Sequence, residues 1–211
     1  MGSHKVLNTP AIRRMPTYLH KLMEMHAAGE KFASTSRLAE YIQLEPIVVR
    51  KDFELTGVKG FPGVGYNTVE LINAIRSYLG WDVCHRACLV GAGSLGRALL
   101  GFQEFAEYGM QITDVFDSDP EKIGSVIRGY TVCDVKNMEE RVRNTMPDLA
   151  IICVSNSSAQ QVVDRLISCG IKAFWNFANI CLTVPPHVVI QREVIAGGYA
   201  LLSMKRKQHL K

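Results

Sequence analysis

Three glycines in the string Gly91-Ala92-Gly93-Ser94-Leu95-Gly96 are spaced for chemistry that a main chain performs. A short apolar run, Arg86-Ala87-Cys88-Leu89-Val90, leads into them, and a helix-forming stretch, Arg97-Ala98-Leu99-Leu100, follows at once. G-x-G-x-x-G between a strand and a helix is an arrangement that cradles a diphosphate. Gly91 allows the tight turn, Gly93 lets the backbone approach the phosphates, and Gly96 lets the helix settle on the strand. Free N–H groups at the positive end of the helix supply the attraction. A second strand, Ile112-Thr113-Asp114-Val115-Phe116, ends at Asp117. That is about 20 residues past the last glycine, where a carboxylate accepts hydrogen bonds from ribose hydroxyls and repels a 2′-phosphate. Residues 91 to 96 and Asp117 are therefore candidate contacts to a dinucleotide, and NAD (as NADH or NAD⁺) is favoured over its 2′-phosphorylated form.

The elements that must position this loop continue in strand–helix alternation, as a doubly wound parallel sheet requires. Leu149-Ala150-Ile151-Ile152-Cys153-Val154 is a continuous apolar strand of the kind buried on both faces. A helix is expected over 157–168, stopping near Gly170, and Ala173-Phe174-Trp175-Asn176 is the next strand. Ligands sit beyond the carboxyl ends of such strands. Val154, Asn176 and Phe177 join the candidates on that ground, although their loops read equally well as ordinary connections.

The first eighty residues have another character. Pro16 fits the first turn of a helix, with Leu19, Leu22, Met23 and His26 at helical spacing up to Gly29. A second helix starts after Ser34-Thr35-Ser36, any of which could cap it, and turns Leu38, Ala39 and Ile42 inward. Pro46 opens a third, with Val49 and Phe53 on one face and Arg50, Lys51 and Glu54 pointing elsewhere. Two helices joined by a tight turn, the second bearing exposed cations, form a helix-turn-helix pattern suited to a major groove. Residues 57–66, with four glycines and Pro62, read as a hairpin or wing, and a fourth helix is expected from Asn67 to Gly80 with Glu70 completing a capping box. Arg13, Arg14, Ser34, Arg50, Lys51 and Lys59 are the candidate contacts to double-stranded DNA. A helical dimerisation domain with a loose loop is the alternative.

The chain has 211 residues, 47% hydrophobic and 21% charged, with a formal net charge of +4. That balance permits a polyanionic partner without demanding one. No apolar run reaches the ~20 residues needed to span a bilayer, so a cytoplasmic protein is expected. Gly2-Ser3-His4 reads as a tag remnant. Six cysteines lack C-x-x-C or zinc spacing, so no metal is expected; Cys88 and Cys153 lie in apolar strands and read as structural.

Along essentially its whole length the chain resembles the Rex family of redox-sensing repressors. The strings that carry the likeness are Arg13-Arg14-Met15-Pro16-Thr17-Tyr18-Leu19, Val49-Arg50-Lys51-Asp52, Gly63-Val64-Gly65-Tyr66, the phosphate loop with Arg97-Ala98-Leu99, Asp117 with Asp119-Pro120-Glu121-Lys122, and Asn176-Phe177-Ala178. The resemblance implies an α/β chain: an N-terminal winged helix-turn-helix (5–80), a C-terminal Rossmann domain (81–192), and a terminal helix with a basic tail (193–211) exchanged between subunits. It also implies a homodimer that binds a palindromic operator and is released when NADH binds. The chain departs from the family pattern at Glu54, at Phe61-Pro62 beside the wing, at Asn179, at Val194, where the family has an acid linking the domains, and at Gly197-Gly198, each glycine costing a helix about 1 kcal/mol against alanine. A small dehydrogenase would need a general acid or base near the nicotinamide. The histidines stand at 4, 20, 26, 85, 187 and 209, outside the strand-end loops, so no enzyme is expected. A dinucleotide-binding partner protein without operator binding is the remaining alternative.

Overall fold

The computed structural model describes residues 7–209. The chain divides into two compact units, Met1–Val83 and Cys84–Lys211.

In the first unit, α1 (Thr9–Ala27) is followed by β1 (Phe32–Ala33), α2 (Thr35–Ile42), α3 (Pro46–Glu54), β2 (Tyr66–Asn67) and α4 (Thr68–Leu79). α1 begins well before Pro16. Asn8 caps it by accepting from the Ala11 N–H, and Pro10 supplies the fixed φ of a first-turn proline, so Pro16 lies inside the helix. Its inward face is Met15, Tyr18, Leu19, Leu22 and Met25, while His26 is exposed. Ser34 is the residue that caps α2, accepting from the Arg37 N–H at 3.3 Å. Gln43, in the left-handed conformation, ends α2 and makes the tight turn into α3. Asn67 caps α4 through the Glu70 N–H, and Gly80 closes it at φ +73. The tip of the wing is a tight local hairpin, residues 61–65, bridged antiparallel between Phe61 and Gly65, while β2 pairs antiparallel with β1, which precedes α2. The ribbon therefore ties the two ends of the helix-turn-helix together, with Tyr18, Phe53 and Tyr66 stacked edge to face beneath it at 5.0 and 5.1 Å.

The second unit contains β3 (His85–Val90), α5 (Ser94–Leu100), α6 (Glu104–Glu107), β4 (Met110–Asp117), β5 (Val126–Ile127), β6 (Tyr130–Asp134), α7 (Met138–Thr145), β7 (Leu149–Ile152), α8 (Asn156–Ser168), β8 (Ala173–Asn176), β9 (Val189–Arg192) and α9 (Ile195–His209). The sheet order is β5-β6-β4-β3-β7-β8-β9, parallel except for the β5–β6 pair. The central strands are buried on both faces, with Cys88, Val90, Ala150 and Ile152 in one core and Ala87, Leu89, Val115 and Ile151 in the other. Strand order reverses between β4–β3 and β7, and that switch point opens a crevice above the carboxyl ends of β3 and β7. α9 buries none of its described side chains; Ile195, Tyr199, Leu201 and Leu202 are all more than 60% exposed.

Candidate functional site

The phosphate loop is held from below. Gly91 has φ +103, and a Cβ there would stand 2.6 Å from the Cys153 carbonyl oxygen, so only glycine lets β3 and β7 close at this point. A Cβ on Gly96 would fall 2.0 Å from the Gly91 carbonyl oxygen, so that glycine seats α5 on the loop. Gly93 is different. It lies in the extended region (φ −75, ψ −166) and none of the described residues comes within 4 Å of its Cβ position. The molecule has no internal need for glycine there; the space is a cradle that a side chain would fill, which fits a diphosphate lying on the loop.

Three of the expected contacts serve as internal braces. Asp117 is buried, and its Oδ2 accepts from the Ala92 N–H at 2.7 Å while Oδ1 accepts from the Asp119 N–H at 2.9 Å. It locks the loop from behind, with both oxygens already engaged. Ala92 is buried and its N–H is committed to Asp117. The Gly91 N–H donates to the Phe116 carbonyl, leaving Gly93, Ser94 and Leu95 to offer the donors at the start of α5, whose cap makes no side-chain hydrogen bond. Asn176 is fully buried; its Oδ1 accepts from the Ala178 N–H and its amide donates to the Ala178 and Ile180 carbonyls, so it shapes the 176–180 turn.

The crevice, about 380 Å³, brings together Gly91, Gly93, Asp117, Ser118, Lys122, Cys153, Val154 and Ser155. Lys122 bridges Asp117 (3.4 Å) and Asp119 (3.2 Å), which raises its ammonium above the ordinary lysine value. Asp119 is held below the usual carboxylate range, first by the Glu121 N–H and then by Lys122. Phe177 is not part of this lining. It stacks on Trp175 at 4.9 Å in a neighbouring aromatic group with Phe102 and Phe105. Cys88 and Cys153 are pushed up to about 12, chiefly by burial, and are inert thiols at neutral pH. Among the described residues no cluster of His, Cys, Asp and Glu could hold a metal ion, and no helix is long and apolar enough to cross a membrane.

In the first unit a groove of about 730 Å³ runs between the start of α2, α3 and the wing. It unites Ser34, Arg50 and Lys59 with the Thr35 and Ser36 hydroxyls, and Glu54 lines it too. Arg13 and Lys51 are exposed but outside the groove lining. Arg14, another expected DNA contact, is engaged within the fold. Its Nε and Nη2 donate to the two oxygens of buried Asp52 at 2.7 and 2.8 Å, and the Tyr18 hydroxyl donates to the same carboxylate at 2.8 Å. Burial, with Asp52 adding to it, pushes the Tyr18 hydroxyl well above its ordinary value. This triad fixes α3 against α1. Its sequence signal was present, Arg14 and Tyr18 four residues apart on α1, but nothing local points to Asp52 as their partner.

A winged head carrying a cationic groove, followed by a Rossmann unit with an open phosphate cradle, defines a class: DNA-binding regulators that respond to a nucleotide. The comparisons specify it. Residues 8–54 match the family model described as "Putative DNA-binding protein N-terminus" and residues 84–180 that described as "CoA binding domain". The redox-sensing transcriptional repressor Rex of Treponema denticola is 42% identical, covering 97% of both chains; that of Clostridium beijerinckii is 37% identical, covering 90% of both. Among solved structures, RSP, a Rex-family repressor, superimposes with a TM-score of 0.83 at 31% identity, covering 97% of this chain and 96% of that one. RSP in complex with NAD⁺ and operator DNA gives 0.85 at 31% identity (97% and 94% covered), and RSP with NADH gives 0.84 at 30% (97% and 96% covered). The chain belongs to the Rex family of redox-sensing transcriptional repressors.

Proposed function

We propose that a homodimer of this chain holds operator DNA in the cytoplasm when NADH is scarce and releases it when NADH fills the crevice. The observation that carries the reading is Gly93: an unstrained backbone position, with no neighbour among the described residues at its Cβ position, at the mouth of a loop whose other glycines are demanded by packing. The relatives support it, since RSP is known with NADH and with NAD⁺ plus operator DNA. The N–H groups of Gly93, Ser94 and Leu95 bind the diphosphate, with Gly91, Gly96, Ala92 and Asp117 holding the loop in shape. Val154 borders the same cavity, and Phe177 and Asn176 shape the adjoining strand end. Arg50, Lys59 and Ser34 face the duplex from the groove, and Arg13 and Lys51 meet flanking phosphates, while Arg14 positions α3 from behind.

NADH acts here as an effector, and it shifts the dimer only as far as its affinity differs between the DNA-holding and DNA-free arrangements. We read the chain as a non-enzyme. Among the described residues no histidine lines the crevice, and the lysine that does, Lys122, is paired with Asp117 and Asp119. Residues 5–80 form the DNA-binding part, 81–192 the NAD(H)-binding part and 193–211 the dimerisation segment, for which the uncovered apolar side chains of α9 are the support.

Fluorescence anisotropy of a palindromic duplex, titrated with the chain at rising salt and with or without NADH, tests the reading. Salt-sensitive binding that NADH weakens is expected. Glu54 in the cationic groove favours one second reading, a NADH-binding partner protein without operator affinity; NADH binding with no duplex binding at low salt would establish it.

A further inference from the structure

The tip of the wing is both stiff and apolar. Phe61 and Gly65 exchange two backbone hydrogen bonds, of 2.7 and 3.0 Å, and the Val64 N–H closes a turn onto the Phe61 carbonyl at 3.1 Å. Pro62 at the second position and Gly63 (φ +73) at the third suit a type II turn, so the tip is largely preset. At its base, Gly65 has φ +113, and a Cβ there would meet the Ala33 carbonyl oxygen at 2.3 Å, which presses the tip onto β1. The exposed side chains are Phe61 (54%), Val64 (50%) and Pro62, none of which carries a hydrogen-bond donor. Phe61 is steadied from behind by Phe32, edge to face at 5.9 Å. Phe61, Pro62 and Val64 line the groove that holds Arg50, Lys59 and the hydroxyls of Ser34, Thr35 and Ser36.

We propose that Phe61, backed by Phe32, is an apolar wedge that enters the minor groove beside the segment that α3 reads, and that it selects for easily deformed base steps there. The proposal rests on the DNA-binding reading above. A duplex is favoured over an apolar protein partner because the patch is continuous with cations and hydroxyls suited to phosphates. The minor groove is favoured because it is narrow, about 6 Å, and its donor–acceptor code is degenerate. A donorless tip gives up nothing there. Apolar side chains at such sites unstack a step and kink the duplex, and pyrimidine–purine steps yield most readily. Affinity gained this way releases no counterions, so it is independent of salt.

The test starts from a palindromic duplex selected out of a random-sequence pool by the unmodified full-length chain. Two versions are made, with TA or GG at the step facing the wing, each labelled at both ends so that energy transfer reports bending. The unmodified chain should bind the TA version about tenfold more tightly and bend it. Phe61→Ala should lose that preference and the bend, with the slope of log affinity against log salt unchanged. Phe61→Arg should bind both versions with a slope steeper by about one, as one added phosphate contact requires. Equal binding of both versions by the unmodified chain, or unchanged affinity and bending in Phe61→Ala, overturns the wedge while leaving operator binding standing. A chain that captures no duplex from the pool at low salt overturns the function reading and the wedge with it. Thermal denaturation of Phe61→Ala is read alongside; the residue is more than half exposed, so an unchanged midpoint is expected.

Discussion

The phosphate loop and the groove of the winged head are both proposed to meet phosphates, but they are built of different material. The loop presents main chain: its donors are N–H groups, and its shape depends on glycines whose Cβ positions are filled by backbone oxygen at 2.0 and 2.6 Å. The groove presents side chains of short helices and of the wing, and α3 is held by its own buried carboxylate, Asp52, which ties it to Arg14 of α1. A site made of backbone fails when an atom is added. A site made of side chains fails when a charge is removed or when the brace beneath it is cut. The two should therefore answer mutation in opposite ways.

The largest separation is expected within the loop itself. Gly96→Ala drives a Cβ into the Gly91 carbonyl oxygen and should destabilise the second unit by about 3 kcal/mol, read by calorimetry. Gly93→Val should leave the melting temperature untouched and still weaken NADH about a hundredfold by titration calorimetry, roughly 2.7 kcal/mol. Comparable melting losses in both would erase the distinction between packing glycines and the ligand-facing one. Next is Asp52→Ala, which strands the Arg14 guanidinium and the Tyr18 hydroxyl. About 2 kcal/mol should be lost from the first unit, with duplex affinity falling and NADH affinity unchanged. If Arg14 is instead a phosphate contact, Arg14→Ala will reduce the salt slope by about one without a melting change. Lys51→Ala should do what Arg14→Ala does not: cut the salt slope by about one and move stability by less than about 0.5 kcal/mol.

The smallest effect concerns pH. Arg165 grips Glu139 through two hydrogen bonds, one of 2.7 Å, and holds its carboxyl below the usual range. A lowered folded value means that the contribution is complete above the ordinary glutamate value of about 4.3 and disappears as pH falls through the lowered one. Glu139→Gln should cost the second unit about 0.5 kcal/mol at pH 7, because the pair is part-exposed, and the gap should close below pH 4. A gap that widens in acid would reverse the sign.

Legibility followed the range of the interactions. The glycine string, the apolar strands and the cap at Asn67 are readable because each depends on neighbours within a few residues, whereas the cluster Ser34-Thr35-Ser36 leaves open which residue caps α2 and the structure selects Ser34. Pro16 suits a first turn, but Asn8 with Pro10 forms an earlier start, and α1 runs on through Pro16. The glycines of 57–66 point to the tight hairpin that bridges Phe61 and Gly65, but nothing local points to β1, the strand that pairs with β2 and precedes two helices. The family's motif strings contain Asp117, Asn176 and Arg14 without saying which way they point; all three make their hydrogen bonds inside the fold.

By itself, the sequence determined the strand–loop–helix that can cradle a diphosphate and the helix-turn-helix that can enter a groove, since both follow from local spacing and backbone freedom. Only the tertiary structure decided which polar side chains are spent inside the molecule. Asp117, 25 residues from Ala92, and Asp52, 38 residues from Arg14, find their partners through packing. A buried carboxylate must be satisfied by whatever donors the fold brings to it, and those donors need not be near it in the chain.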